Sequence, residues 1–295
     1  MDKLIVIAGT NASGKSGLGV ELARRYGGEI VSADSRQVFR GLDLGSGKIT
    51  PEETRGVPHH LIDVCEPGDF FSMHDFQRLA YAAIDGILAR GRLPFLVGGT
   101  GLYVASVTEG YVMSDNPPDL EYRQYLETFE TPKLYQMLKA AVPDTDVEPK
   151  NRNRVMRLLE KLHAGDDHVP QSRPRYDCLK LGVTWDRETL RSRIDERLER
   201  RLDQGMIEEV RGLIERGVSV EFLDKLGLEY RFIARYLTGK IQSREEMVEL
   251  LGTAIKQFAK RQMTWFRRDG GILWLDMTGD PVSQACLAID EFLAR

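Results

Sequence analysis

The sequence predicts an α/β protein: a parallel β-sheet covered on both faces by helices, carrying an inserted helical subdomain. Three observations predict it. Short apolar runs alternate with segments of helical spacing, polar and glycine-rich residues gather where the apolar runs end, and between about residues 113 and 177 the strand-like texture gives way to polar, helical sequence. Chemistry at the C-terminal ends of parallel strands places the ligand crevice there. A length of 295 residues exceeds the usual single hydrophobic core and agrees with a large domain holding a smaller one.

The elements follow in order. Leu4 to Ala8 is the first strand, Gly9 to Ser16 a loop, and Leu18, Val20, Leu22 and Ala23 mark a helix. A second strand, Glu29-Ile30-Val31-Ser32, ends at Ala33-Asp34-Ser35. A third short apolar strand, Leu61-Ile62-Asp63-Val64, follows a Pro58-His59-His60 turn. Ser72 to Arg90 reads as a helix closed by Gly91, and Pro94-Phe95-Leu96-Val97 as a strand running into Gly98-Gly99-Thr100-Gly101. The breaker Asn116-Pro117-Pro118 opens the insert, which stays helical through Val169-Pro170. The core resumes with the strand Leu179 to Thr184, a charged helix N-capped by Asp186, and a last strand Ile272 to Leu275. The expected organisation is thus residues 1–112 as the first part of the core, 113–177 as the insert, and 178–295 as the second part with C-terminal helices.

Composition narrows the setting. No apolar run approaches bilayer-spanning length, and the N-terminus lacks the basic region of a signal peptide, so a cytoplasmic protein without membrane association is expected. Cys65, Cys178 and Cys286 are odd in number and far apart, which fits a reducing compartment and argues against a disulfide framework or zinc site. His59 and His60 have no partner at metal-ligand spacing, and one of them is expected to hydrogen-bond in the core. A net charge of −4 means that any nucleic-acid contact must rest on local basic clusters, such as Arg152, Arg154 and Arg157, Arg191 to Arg201, or Lys256 to Arg268.

Gly9-x-x-x-x-Gly14-Lys15-Ser16 is the P-loop pattern, and its position between strand and helix makes the fold class P-loop NTPase-like. Backbone N–H groups of Gly9, Thr10, Asn11, Ala12, Ser13 and Gly14 and the helix N-terminus would cradle the phosphates of ATP or another polyphosphate. Lys15 supplies a point charge, and the Ser16 hydroxyl is placed to ligate Mg²⁺. The strand most like a Walker B element ends in Gly98-Gly99-Thr100 with no carboxylate, Asp63 being the only substitute on a similar strand, and no Asn-Lys-x-Asp guanine motif occurs. Asp34, closing the second strand, reads either as a turn residue or as a general base near the phosphates. Tyr103 and Phe39 pack the sheet or line a substrate channel.

Five segments, in order and spanning nearly the whole chain, carry a family resemblance. They are Gly9 to Ser16; Asp34-Ser35-x-Gln37-Val38-Phe39-Arg40-Gly41-Leu42-Asp43; Pro58-His59-His60; Val97-Gly98-Gly99-Thr100-Gly101-Leu102-Tyr103; and Ala259-Lys260-Arg261-Gln262-x-Thr264-Trp265-Phe266-Arg267. Together they resemble the tRNA dimethylallyltransferases. The resemblance implies transfer of a dimethylallyl group from dimethylallyl diphosphate to the exocyclic amine of the adenosine 3′ of the anticodon, with release of pyrophosphate. It implies Asp34 as the base, and Thr100 and Arg197 as contacts to the diphosphate. It implies Asp34, Ser35, Arg36, Gln37, Thr100, Arg123, the segment Asn153, Arg154, Val155, Met156 and Arg157, and Lys256, Lys260 and Arg261 as contacts to the tRNA anticodon stem-loop. The enzyme is expected to act as a monomer. The chain departs from the family pattern at Leu44-Gly45-Ser46-Gly47-Lys48-Ile49, at Pro149-Lys150-Asn151 and at Gly227-Leu228-Glu229-Tyr230. Two other readings compete: a small-molecule or nucleoside kinase with a helical lid, and a non-catalytic nucleotide-gated RNA-binding module.

Overall fold

The computed structural model describes residues 1–113, 119–166 and 171–295. Its elements run β1 (Asp2–Gly9), α1 (Lys15–Arg25), β2 (Glu29–Ser32), α2 (Pro51–Thr54), β3 (His59–His60), α3 (Met73–Ala89), β4 (Pro94–Gly98), α4 (Gly101–Thr108), β5 (Tyr111–Val112), α5 (Leu120–Glu127), α6 (Thr131–Ala141) and α7 (Arg152–His163). The second half holds β6 (Gln171–Ser172), β7 (Tyr176–Thr184), α8 (Arg187–Asp203), α9 (Met206–Glu215), α10 (Val220–Leu226), α11 (Leu228–Leu237), α12 (Arg244–Phe266), β8 (Ile272–Asp276) and α13 (Pro281–Leu293). Two compact units result: Met1–Gly110 with Pro174–Arg295, and Tyr111–Arg173.

In the larger unit six strands lie in the order β3-β2-β4-β1-β7-β8, every neighbouring pair parallel. Covering both faces explains why β1 reads as a continuous apolar run. Its even residues Leu4, Val6 and Ala8 pack with Phe76, Ile84 and Val107 on one face, while Ile5 and Ile7 pack with Leu18, Leu22 and Ile289 on the other. Leu4, Ile5, Val6 and Ile7 are wholly inaccessible, and each contributes roughly 1.5–3 kcal/mol of burial. A charge at Val6 would have no partner and would break the sheet. Helix α3 is fixed locally by a capping box in which Ser72 Oγ accepts the Asp75 amide and Asp75 accepts the Ser72 amide. Its buried Phe76, Ala80, Ile84 and Ile87 recur at helical spacing. A third core gathers α8 to α12 around Leu198, Met206, Tyr230, Leu251 and Ile255.

One strand differs from expectation. Leu61 to Val64 is not extended: β3 is His59–His60, and Leu61 and Asp63 take φ of 63° and 56°. The chain turns there because it bonds back to the loop after β2, with Asp63 N donating to Gln37 O at 3.1 Å and Val64 N to Val38 O at 2.8 Å. The Asp63 carboxylate pairs with Lys48 at 2.5 Å and is therefore not a Walker B substitute. His59 Nδ1–H donates to Val57 O at 2.8 Å, and His60 Nε2 meets Glu29 at 2.7 Å.

The smaller unit packs α5, α6 and α7 around Leu126, Leu134, Leu138, Val155, Met156 and Leu159, with β5 and β6 antiparallel. Asn116-Pro117-Pro118 and Val169-Pro170 lie outside the described residues. Among the described residues no helix is long and apolar enough to cross a membrane, and no group of three His, Cys, Asp or Glu side chains could hold a metal.

Candidate active site

The phosphate loop is held from behind. Gly14, N-cap of α1, takes φ 88° and ψ 6°, a left-handed conformation in which a Cβ is disfavoured. Thr10 O accepts from Ser13 Oγ at 2.8 Å and Lys15 Nζ at 3.2 Å, Ser13 O from Trp185 Nε1 at 2.9 Å, and Ala12 O from Arg193 Nε at 3.0 Å. The Arg193 guanidinium lies 4.5 Å from the Trp185 ring centroid, which locks these two donors together. With the carbonyls of Thr10, Ala12 and Ser13 engaged, the loop offers a ligand the positive end of α1 and its amide groups, except that of Asn11, which is expected from the sequence to cradle phosphate but is taken by Gln262. From α12, Gln262 accepts the Asn11 amide at 3.0 Å and donates to Gly99 O at 2.9 Å, tying the loop to the end of β4.

Lys15, Ser16, Asp34, Gln37 and His59 line one narrow cleft together with the apolar Ile30, Ile49 and Val97. Burial lowers the Lys15 pKa to about 8; Asp34 opposes the shift, and Arg197 and Arg36 add to it. Burial, and next Arg201, likewise hold Arg197 down at about 10, so both remain cations at neutral pH. Lys15, Arg36, Arg197 and Arg201 form one electrostatic neighbourhood with the carboxylates Asp34 and Glu229. Burial lowers the His59 pKa and keeps its imidazole neutral.

Asp34 stands at a junction. Its Oδ1 accepts the Arg36 amide at 2.9 Å, a turn role compatible with a chemical one. The strand end is pinned by Ala33 N bonding Val97 O at 2.8 Å and Thr100 N bonding Ala33 O at 3.2 Å. Gly98 is required by this approach, since a Cβ there would lie 2.1 Å from Ala33 O. Thr100 Oγ1 accepts the Ser35 amide at 3.1 Å. Beyond this pair opens a second cavity of about 480 Å³, lined by Ser35, Arg36, Thr100, Leu102, Phe258, Arg261, Gln262 and Trp265. Tyr103 stacks on Phe76 with ring centroids 4.0 Å apart, so it packs the sheet. Burial and the Asp34 charge raise its pKa and keep its hydroxyl protonated. Phe39 packs edge-on against Phe222.

The candidate RNA contacts divide by exposure. Lys260, Arg261, Thr264, Trp265 and Arg268 border an open groove on α12, with Trp265 41% exposed. Lys256 pairs with Asp195 at 2.7 Å, and Arg36 is buried among Asp34, Glu229 and Phe258. In the smaller unit Arg123 and Arg157 flank Glu160 at 3.1 and 3.4 Å, and Asn153 and Arg154 are exposed. The side chains of Val155 and Met156 do not fit an RNA contact: they are 0% and 2% exposed and fill that unit's core. Helical periodicity turns them away from the face that carries Asn153, Arg154 and Arg157.

The IPP transferase family model matches residues 37–269, and an isopentenyl transferase model matches residues 2–66. The chain belongs to the IPP transferase family. Within that family it is 44% identical over 288 residues to tRNA dimethylallyltransferase 1 of Geotalea uraniireducens, covering 96% of this chain and 95% of the relative. It is 46% identical over 293 residues to tRNA dimethylallyltransferase 2 of Shewanella sediminis, covering 96% of each. Among solved IPP transferases, the full-length tRNA isopentenylpyrophosphate transferase of Bacillus halodurans superposes with a TM-score of 0.74 at 38% identity, covering 100% of this chain and 96% of that one. A eukaryotic dimethylallyltransferase acting on tRNA superposes with a TM-score of 0.81 at 26% identity, covering 100% and 80%. The small-molecule kinase reading is not favoured by these relationships.

The motifs did not reveal Trp185, Arg193 or Glu229 as parts of this IPP transferase site. Gln262 lies inside the Ala259–Arg267 motif, which by itself assigns it no role. A Gln or Trp becomes legible as a loop tether only when its partner, more than 160 residues away in sequence, is known.

Proposed function

We propose that the protein transfers the dimethylallyl group of dimethylallyl diphosphate to the exocyclic amine of the adenosine 3′ of the anticodon in tRNA. The observation carrying this reading is the position of Asp34, in the cleft that holds the P-loop lysine and next to the Ser35–Thr100 pair bordering the second cavity. The diphosphate lies on the P-loop amides and Lys15, and the prenyl chain lies along Ile30, Ile49 and Val97. The adenosine, extruded from the loop stack, enters past Thr100. The amine nitrogen attacks the carbon bearing the diphosphate, and the carbon–oxygen bond breaks with its electron pair leaving on pyrophosphate. The amine proton passes to Asp34. Thr100 and Arg197 stabilise the charge that grows on the leaving group, whose negative charge answers the neighbouring cations.

The exposed Ser16 hydroxyl at the start of α1, with no carboxylate cluster beside it among the described residues, fits Mg²⁺, which takes few protein ligands and completes its shell with phosphate oxygens and water. When bound there it would neutralise diphosphate charge. Ser35, Gln37, Lys260, Arg261 and Trp265 supply RNA contacts on the larger unit, and Arg123, Asn153, Arg154 and Arg157 supply RNA contacts on the smaller. Lys256 and Arg36 contribute field and position. The protein acts on tRNA in the cytoplasm, as a monomer.

Incubation with unmodified tRNA and labelled dimethylallyl diphosphate, in parallel with ATP and small hydroxyl acceptors, tests the proposal. Label is expected in tRNA. Phosphorylation of a small acceptor without label in tRNA would overturn it.

A further inference from the structure

Glu229 is 2% exposed, yet it lies where the chain departs from the family pattern. It occupies the first turn of α11, whose N-cap Gly227 packs against the Arg36 stem; a Cβ at 227 would lie 2.8 Å from Arg36 Cδ. One carboxylate oxygen pairs with Arg36 Nη1 at 3.2 Å, the other with Arg201 Nη1 at 3.3 Å. Arg201 also donates to Leu44 O, within another of the chain's departures, and is thereby immobilised. On its opposite side Arg36 reaches Asp34 Oδ1 only at 3.7 Å, a distance too long for a hydrogen bond. One guanidinium therefore stands between two carboxylates, hydrogen-bonded to Glu229 and at ion-pair distance, without a side-chain hydrogen bond, from Asp34.

We propose that Glu229 is a positioning residue: by dividing between Arg36 and Arg201 it keeps Arg36 from closing a hydrogen-bonded pair with the Asp34 carboxylate, which stays able to take the proton of the attacking amine. This rests on the reading of Asp34 as the base. Asp34 is faced by Lys15, Arg36, Arg197 and Tyr103, and Glu229 by Arg36, Arg201, Arg197 and Tyr230. The Tyr230 hydroxyl is held by Glu209 at 3.0 Å, and Asp34 is the other carboxylate that the Arg36 side chain pairs with, so neutralising Glu229 releases Arg36 onto Asp34. A carboxylate closed by a full ion pair is a weaker base, and its acid limb moves to lower pH by about one unit or more.

Glu229→Gln keeps the shape and removes the charge. Expected are a fall in kcat of about tenfold or more, an acid limb of the kcat–pH profile shifted down by roughly one unit, and pyrophosphate affinity unchanged within about threefold or tighter. A purely structural role would lower rate and pyrophosphate affinity together with the limb unmoved, and that result overturns the inference. Arg201→Gln gives the opposite sign, since Glu229 then holds Arg36 alone and the limb rises. It decides the matter if Glu229→Gln does not fold, and a fixed or falling limb in it counts against the proposal. Asp34→Asn, run in parallel, separates the two claims. If that variant keeps its rate, the base assignment fails; if it is inactive while the limb ignores Glu229, the positioning role alone fails.

Discussion

The side-chain oxygen of Gln262 accepts the Asn11 amide at 3.0 Å, joining the last long helix to the phosphate loop near the opposite end of the chain. Gln262→Leu leaves the amide without its acceptor. It should cost about 1–3 kcal/mol of stability and weaken pyrophosphate binding. Denaturant melts and calorimetric titration measure both, and unchanged values in each would show that the tether is dispensable.

Asp34→Ala should lower turnover by about 10²–10⁴ while tRNA affinity stays within a few-fold. Single-turnover transfer of labelled prenyl group reads the first, and filter binding the second. Near-normal turnover would leave Asp34 as the turn residue bonded to the Arg36 amide and turn attention to the neutral His59 in the same cleft.

Thr100→Ala and Arg197→Ala should each lose about 10²–10³ in rate through the leaving group. Damage confined to tRNA affinity would remove both from the chemistry.

Lys15 titrates near pH 8 in the free protein because burial disfavours its charge. A bound diphosphate stabilises the ammonium, so above about pH 8 binding must take up a proton, and affinity should fall by about one decade per pH unit. Lys15→Met lacks that limb, which separates it from the titration of pyrophosphate itself. Without ligand the sign reverses for stability. Between about 8 and the ordinary lysine value of 10.5 the unfolded chain holds the extra proton, so the Lys15 contribution to stability rises with pH across that window.

Log affinity for tRNA should fall linearly with log salt, by roughly 0.7 per neutralised single-strand phosphate. Joint Arg154→Ala and Arg157→Ala should flatten that slope and leave dimethylallyl diphosphate affinity alone. Loss of diphosphate affinity with the slope intact would make them lid arginines and remove the RNA role.

The α/β class and most strands were legible because a fully covered parallel sheet writes itself as unbroken apolar runs, β1 above all. Helices α3 and α8 were legible at their starts because Ser72 and Asp186 cap locally. Leu61 to Val64 misled because the run is apolar, whereas bonds to Gln37 and Val38 decide its conformation. Val155 and Met156 share a motif with exposed arginines but not their helix face. Glu229 reads in the sequence only as a departure from the family pattern; its meaning lies in two guanidiniums, 193 and 28 residues away.

Strand β1 lies between β4 and β7, and its loop is tethered by Trp185, Arg193 and Gln262. A ribosome that has released only the first half of this chain has made the phosphate-binding sequence without its supports. The loop can take its working shape only after residue 262 has emerged and packed, and such long-range closure is slow. Truncated or stalled products should therefore compete poorly for the prenyl donor.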